Sequence, residues 1–196
     1  TVTVTGNFAE DTQAVVTDGV VALGADVSMS GDAGTDVAAN GLSAIMAKVG
    51  SVTVTDAINV TGNDAQVKSA LVDDQVSASL ATVEISGNTA AATITSLYGV
   101  STGAITATVT ETALADLYAM ATATGAAEHK LTISVADASV DAAKLLSVDA
   151  ITSLQVEALS VETVSGSAAD VAAVRTAIDA GTLNATVRFD AVILED

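Results

Sequence analysis

The chain has 196 residues with no Cys, Pro or Trp and only two Phe and two Tyr, and 24 acidic residues face six basic ones for a formal charge of −18. Without Cys there is no disulfide, thiol chemistry or cysteine-ligated zinc, and the charge argues against nucleic acid or an anionic membrane as partner, since both reward Lys and Arg. A mean hydropathy of +0.55 lies above the range of disordered chains.

The opening segment, Thr1–Gly6, has no Met, basic stretch or apolar run, so no signal peptide is expected. Val2–Thr5 alternates apolar and hydroxyl residues and predicts a strand with one buried and one exposed face. Gly6-Asn7 follows as a turn and cap signal, and Phe8, Thr12, Val15, Val16 and Val20 then recur at helical spacing. The cycle returns with the run Val27–Ser30, the turn Gly31-Asp32 and the helical face Ala38, Leu42, Ile45, Met46 and Val49. Val52–Thr55 is followed by a second short run, Asn59–Gly62, and the cap Gly62-Asn63. Val83–Ser86 leads through Gly87-Asn88 to Ala90, Ile94, Leu97 and Tyr98, and Ala107–Thr110 leads to Leu114, Leu117, Tyr118 and Ala121. Leu131–Ser134 comes next, then the weaker Leu154–Glu157 with a second run at Val161–Gly166. Gly166-Ser167 opens a last helical face, Val171, Val174 and Ile178, before Ala185–Arg188.

Successive runs start 25, 25, 31, 24, 24, 23 and 31 residues apart. A strand joined through a helix to the next strand makes a parallel pair with a right-handed crossover. The expected fold is therefore α/β, a repeat solenoid of strand–helix coils with a period of about 24 residues, one parallel sheet wall and one helical wall. Residues 1–196 read as one domain of about seven repeats plus a terminal strand, with loop insertions near 56–62 and 158–166 accounting for the long steps. A doubly wound sheet has the same element order. It needs strands buried on both faces, which the alternating Thr and Ser oppose. Thr1 falls within a strand, and residues 189–196 alternate without a polar cap. The ends of such a solenoid are expected to continue a longer array or to stack end to end.

Ile85–Thr110 carries no charge over 26 residues. It is rich in Thr, Ser, Gly and Asn, so no membrane insertion is expected. Catalysis has little to draw on: the chain has one histidine, and His129 sits in Glu128-His129-Lys130, where a solvated return loop is expected. No nucleophile elbow, phosphate loop or dinucleotide fingerprint is present, so no enzyme activity and no catalytic residue are expected. Asp32 and Asp36 flank Gly34, a spacing that could offer oxygen ligands to calcium, the one candidate ion. The competing reading has Asp32 capping the second helix and Asp36 facing its positive end. Asn59-Val60-Thr61 and Asn184-Ala185-Thr186 match the glycosylation sequon, a match expected by chance in a chain of this composition.

In register, the exposed strand face would present Thr3/Thr5, Ser28/Ser30, Thr53/Thr55, Glu84/Ser86, Thr108/Thr110 and Thr132/Ser134 as two hydroxyl ladders with rungs about 4.8 Å apart. Such a face could meet a glycan, or less readily ice, because Glu84, Gln155, Glu157 and Arg188 interrupt it. Thr and Ser also suit any wet strand face.

The runs VTVTG (Val2–Gly6), VTVTD (Val52–Asp56), TATVTETALADL (Thr106–Leu117) and VSGSAADVAAV (Val164–Val174) resemble the Val/Thr/Ala-rich repeats of very large extracellular surface proteins of bacteria, notably marine cyanobacteria. The resemblance implies an extracellular or cell-surface setting and a structural, matrix, filament or adhesion role, with no catalytic residues to carry over.

Overall fold

The computed structural model describes residues 24–30, 32–123 and 129–187, and residues 2–5 by their backbone. The first expected helix, Phe8–Val20, lies outside the described residues. The chain is α/β, built of parallel strands and six short helices among the described residues. In order these are β1 (Val2–Thr5), β2 (Asp26–Ser30), β3 (Asp36–Ala38), α1 (Ala39–Met46), β4 (Ser51–Val54), β5 (Asn59–Asn63) and α2 (Asp64–Val67), which runs on into a π-helical turn at Lys68–Asp73. They continue with β6 (Thr82–Thr89), α3 (Ala91–Tyr98), β7 (Ile105–Val109), α4 (Leu114–Thr122), β8 (Lys130–Thr132), β9 (Ser139–Asp141), α5 (Ala142–Asp149), β10 (Val156–Glu157), β11 (Thr163–Ser165), α6 (Ala168–Ala180) and β12 (Leu183–Asn184).

The described structure falls into two compact units. The first comprises Thr1–Thr89 and Thr93–Thr106, the second Ala90–Ala92 and Ala107–Asp196. In the first unit β1, β2 and β4 form one parallel sheet, with Val2 opposite Val27 and Val27 opposite Val52. Past β4 this sheet is extended by Ser77, which bridges Thr53. A second sheet runs β3-β5-β6, placing Val37, Val60 and Val83 in line, and the Val83 N–H donates onward to the Ala104 carbonyl at 3.0 Å.

β2 and β3, β4 and β5, β8 and β9, and β10 and β11 follow one another as pairs of short strands with a corner between them, whereas β7 leads directly to α4. The corner is a tight turn: Thr35 N–H donates to the Asp32 carbonyl, and Ala81 N–H to the Ala78 carbonyl. The segments at 56–62 and 158–166 carry strands β5 and β11. The 31-residue step from Val52 to Val83 is a change of sheet. Val83 pairs with Val60, and the true successor of Val52 lies in the Val76–Ser79 run.

In the second unit β9 pairs with β11 and β10 with β12, again parallel. The Ala158–Val161 corner repeats the tight turn, with Val161 N–H on the Ala158 carbonyl. Both cores are aliphatic. Val52, Ile58, Val60 and Leu42 are buried in the first, and Leu117, Leu131, Leu145 and Val174 in the second.

Helix starts follow the sequence at two places. Asn63 and Gln66 form a capping box on α2, and Ser167 caps α6 through the Asp170 N–H. Elsewhere the signals mislead. Gly87-Asn88 lies inside β6, and α1 begins at Ala39 with no side-chain cap. The helices at 64–67 and 142–149 have no counterpart among the helical faces read from the sequence. The second is capped by Asp141, whose carboxylate accepts the Lys144 N–H at 2.9 Å.

Candidate functional site

The parallel register stacks side chains of successive cycles about 4.8 Å apart, so the candidate surface is a set of ladders. On the first sheet the rungs are Thr3, Ser28, Thr53 and Ser77. They alternate with the buried Val27 and Met29 of β2 and the buried Val52 and Val54 of β4. Thr53 and Ser77 are exposed and Ser28 and Ser30 half-buried, and Thr5 is the register partner of Ser30. Glu84 and Ser86 are not the next rungs, which corrects the expected ladder: they lie on the second sheet opposite Thr61 and Asn63. Sequence reading missed Ser77, although the alternation Val76-Ser77-Ala78-Ser79 carried the signal.

Not every hydroxyl of the expected face is free for a ligand. Thr55 Oγ1 lies 3.2 Å from both the Met29 carbonyl and the Asp56 carboxylate, and its single proton serves one of them. Thr108, Thr110, Thr132 and Ser134 are exposed. Ser134 bridges Glu157 through the backbone, so a carboxylate adjoins the hydroxyl there.

A second kind of ladder takes up acidic residues. Asn59 Nδ2 donates to Asp36 Oδ1 at 2.8 Å, and Asn59 Oδ1 accepts from Thr82 Oγ1 at 3.0 Å. Ser51 Oγ donates to Asp26 at 2.7 Å, and Asn184 Nδ2 to Glu157 at 2.7 Å. Both sequon asparagines are thus held by a carboxylate one cycle earlier, and sequence patterning alone did not reveal it. The candidate calcium pair is not assembled as a ligand set: Asp36 lies in β3 bound to Asn59, and Asp32 is exposed at the corner. Neither stands at the start of α1, which corrects the alternative capping reading. Among the described residues no three His, Asp or Glu side chains are placed to share a metal ion.

Carboxylates also cap helices from a later cycle. Glu111 accepts the Ala91 N–H at 2.8 Å at the start of α3, and Asp137 accepts the Leu114 N–H at 2.6 Å at the start of α4. An anion is favoured there by the unpaired amides and the helix dipole.

His129 corrects the sequence reading outright, being 2% exposed rather than solvated. Its carbonyl accepts from Ser153 N–H and Oγ, and desolvation holds its imidazole below the ordinary 6.5. Burial likewise raises Asp149 above the usual aspartate value, opposed by the hydrogen bond from Thr182. Desolvation also raises the Tyr98 hydroxyl.

Among the described residues no helix is long and apolar enough to cross a membrane. Comparison of the chain with protein-family models, curated proteins and solved structures finds no match.

Proposed function

We propose that the chain is a structural repeat segment of an extracellular bacterial surface, matrix or filament protein, folded as an open solenoid and self-associating by end-to-end stacking of coils. The observation that carries this reading is the similar step, 23 to 27 residues, between parallel partners. Val27 meets Val52, Val60 meets Val83, Val140 meets Val164 and Val156 meets Leu183, so each turn of chain lays its strands beside those of the turn before. Repeats of this kind bury their apolar faces only against neighbours, and the acidic surface keeps such an array hydrated. The test is sedimentation velocity with electron microscopy across a concentration series, with and without calcium. Rods or filaments that lengthen with concentration are expected, and short monomers under both conditions overturn the reading.

A second reading, a surface-binding module, draws on the exposed hydroxyls of Thr53 and Ser77 on the first sheet. It would bind glycan, or less readily ice, as a monomer. Replacing Thr53 and Thr55 by Tyr would abolish glycan retention if that face is the site, and unchanged retention removes it.

A further inference from the structure

Asn40-Gly41 is the one Asn-Gly pair in the chain, and the fold sets it in the first turn of α1. The opening amides of a helix have no carbonyl partner within it, and the Gly41 N–H is among them. Ala38 at the N-cap offers no side-chain acceptor and the first turn has no acidic residue, so no cap holds the turn closed. Asn40 is exposed, and among the described residues no hydrogen bond restrains its side chain. Gly41 adds the lowest helix propensity of any residue but proline, and nothing lies within 4 Å of where its Cβ would stand.

The other described asparagines are placed differently, and none precedes glycine. Asn59 and Asn184 lie in strands, each donating to a carboxylate of the paired strand. Asn63 accepts the Gln66 N–H within the capping box of α2. Asn88 lies in β6, before the buried, β-branched Thr89.

From this placement we propose that Asn40 is a site of spontaneous deamidation through ring closure onto Gly41. The Gly41 nitrogen attacks Cγ of Asn40. The N–Cγ bond forms as the Cγ–Nδ2 bond breaks, and ammonia leaves carrying the amide proton. Water then adds to one carbonyl of the cyclic imide, leaving aspartate or isoaspartate at position 40. Closure requires the backbone at Asn40 to leave its helical angles, which an uncapped turn next to glycine permits. The aspartate product sets a negative charge beside the unpaired amides, where the helix dipole favours it. The isoaspartate product inserts a backbone carbon next to the buried Ala39 and close to the buried Leu42, and so opens the start of α1.

The full chain is incubated folded, at neutral and mildly alkaline pH, beside a sample in urea. Peptide mass maps and isoaspartate-specific methylation follow each asparagine over time. Conversion at position 40 is expected in the folded chain, ahead of Asn59, Asn63, Asn88 and Asn184, and faster at the higher pH, where the attacking amide loses its proton more readily. Ala38→Ser supplies a cap and should slow conversion about fivefold in the folded chain but not in urea. Gly41→Ala should suppress it in both. No conversion at position 40 in the folded chain, whatever the urea sample does, overturns the proposal, and so does a folded rate that Ala38→Ser leaves unchanged.

Discussion

The Asp137 carboxylate lies 2.6 Å from the backbone nitrogen of Leu114, so the α4 helix is capped by a residue 23 positions further along the chain. A local cap is made before tertiary structure forms, whereas this one exists only once the next cycle has docked. The same holds for Glu111 on Ala91. Neighbouring cycles are thereby coupled through helix starts as well as through sheets.

Removing such a cap exposes a helix start with no local substitute, since Ala113 offers no side-chain acceptor. Asp137→Ala should cost about 1 kcal/mol of unfolding free energy, and Asp137→Asn less, because an amide oxygen still accepts. Urea denaturation of both variants reads the order. Equal stabilities for wild type and Asp137→Ala refute the coupling.

Two glycines should respond oppositely to alanine. A Cβ on Gly103 would run into the Ala81 carbonyl of the neighbouring cycle, so Gly103→Ala should destabilise by about 1–3 kcal/mol, as overpacked sites do. Gly41 lies within α1 with nothing within 4 Å of its would-be Cβ. Gly41→Ala should therefore stabilise by about 0.5–1 kcal/mol through helix propensity. Thermal or urea midpoints of the two variants decide the pair.

His129 should make the fold sensitive to mild acid. Its folded pKa lies below 6.5 because burial disfavours the imidazolium, so the unfolded chain takes up the proton first. The contribution is intact above pH 6.5 and is lost as pH falls through the lower folded value. NMR titration should place the imidazole midpoint below that of a denatured control, and a midpoint above it contradicts the burial.

Asp149 should act with the opposite sign. Burial raises its folded pKa, so its contribution is complete below the ordinary value of 3.8 and is lost as pH rises through the folded one. One carboxylate oxygen is buried without a hydrogen-bond partner, while the other accepts from Thr182 at 2.9 Å. Asp149→Asn keeps an acceptor for Thr182 and removes the charge, and it should be at least as stable as wild type at pH 7. A clear loss of stability there would mean the charge is favourable in place.

Much of the local structure is legible residue by residue. The alternation at Val27–Ser30 and Val52–Thr55 locates β2 and β4 and orients their faces, because a period of two admits only one division into buried and exposed sides. Asn63 and Ser167 mark helix starts, since their side chains reach amides three residues on. Asn88 carries the same signal and fails: β6 continues to Thr89, past Ser86 where its pairing with β5 ends, and crosses Gly87, whose φ of 81° suits glycine. His129 reads as a loop residue from its charged neighbours, yet it is buried and its backbone bridges Thr152 and Ser153.

By itself the sequence determined that the chain is α/β, that its strands have one wet face, and that its core is aliphatic, since these follow from side-chain period and composition alone. Only the tertiary structure decided which strand meets which. Runs such as Val52-Thr53-Val54 and Val83-Glu84-Ile85 have interchangeable patterns, and nothing within four residues distinguishes their partners. Pairing is selected by the corner turns, by the length of chain each helix takes up, and by side chains 23 to 27 residues apart such as Asn59 with Asp36 and Asn184 with Glu157. That selection separates the Thr53 ladder from Glu84 and turns two asparagines with sequon spacing into rungs between paired strands.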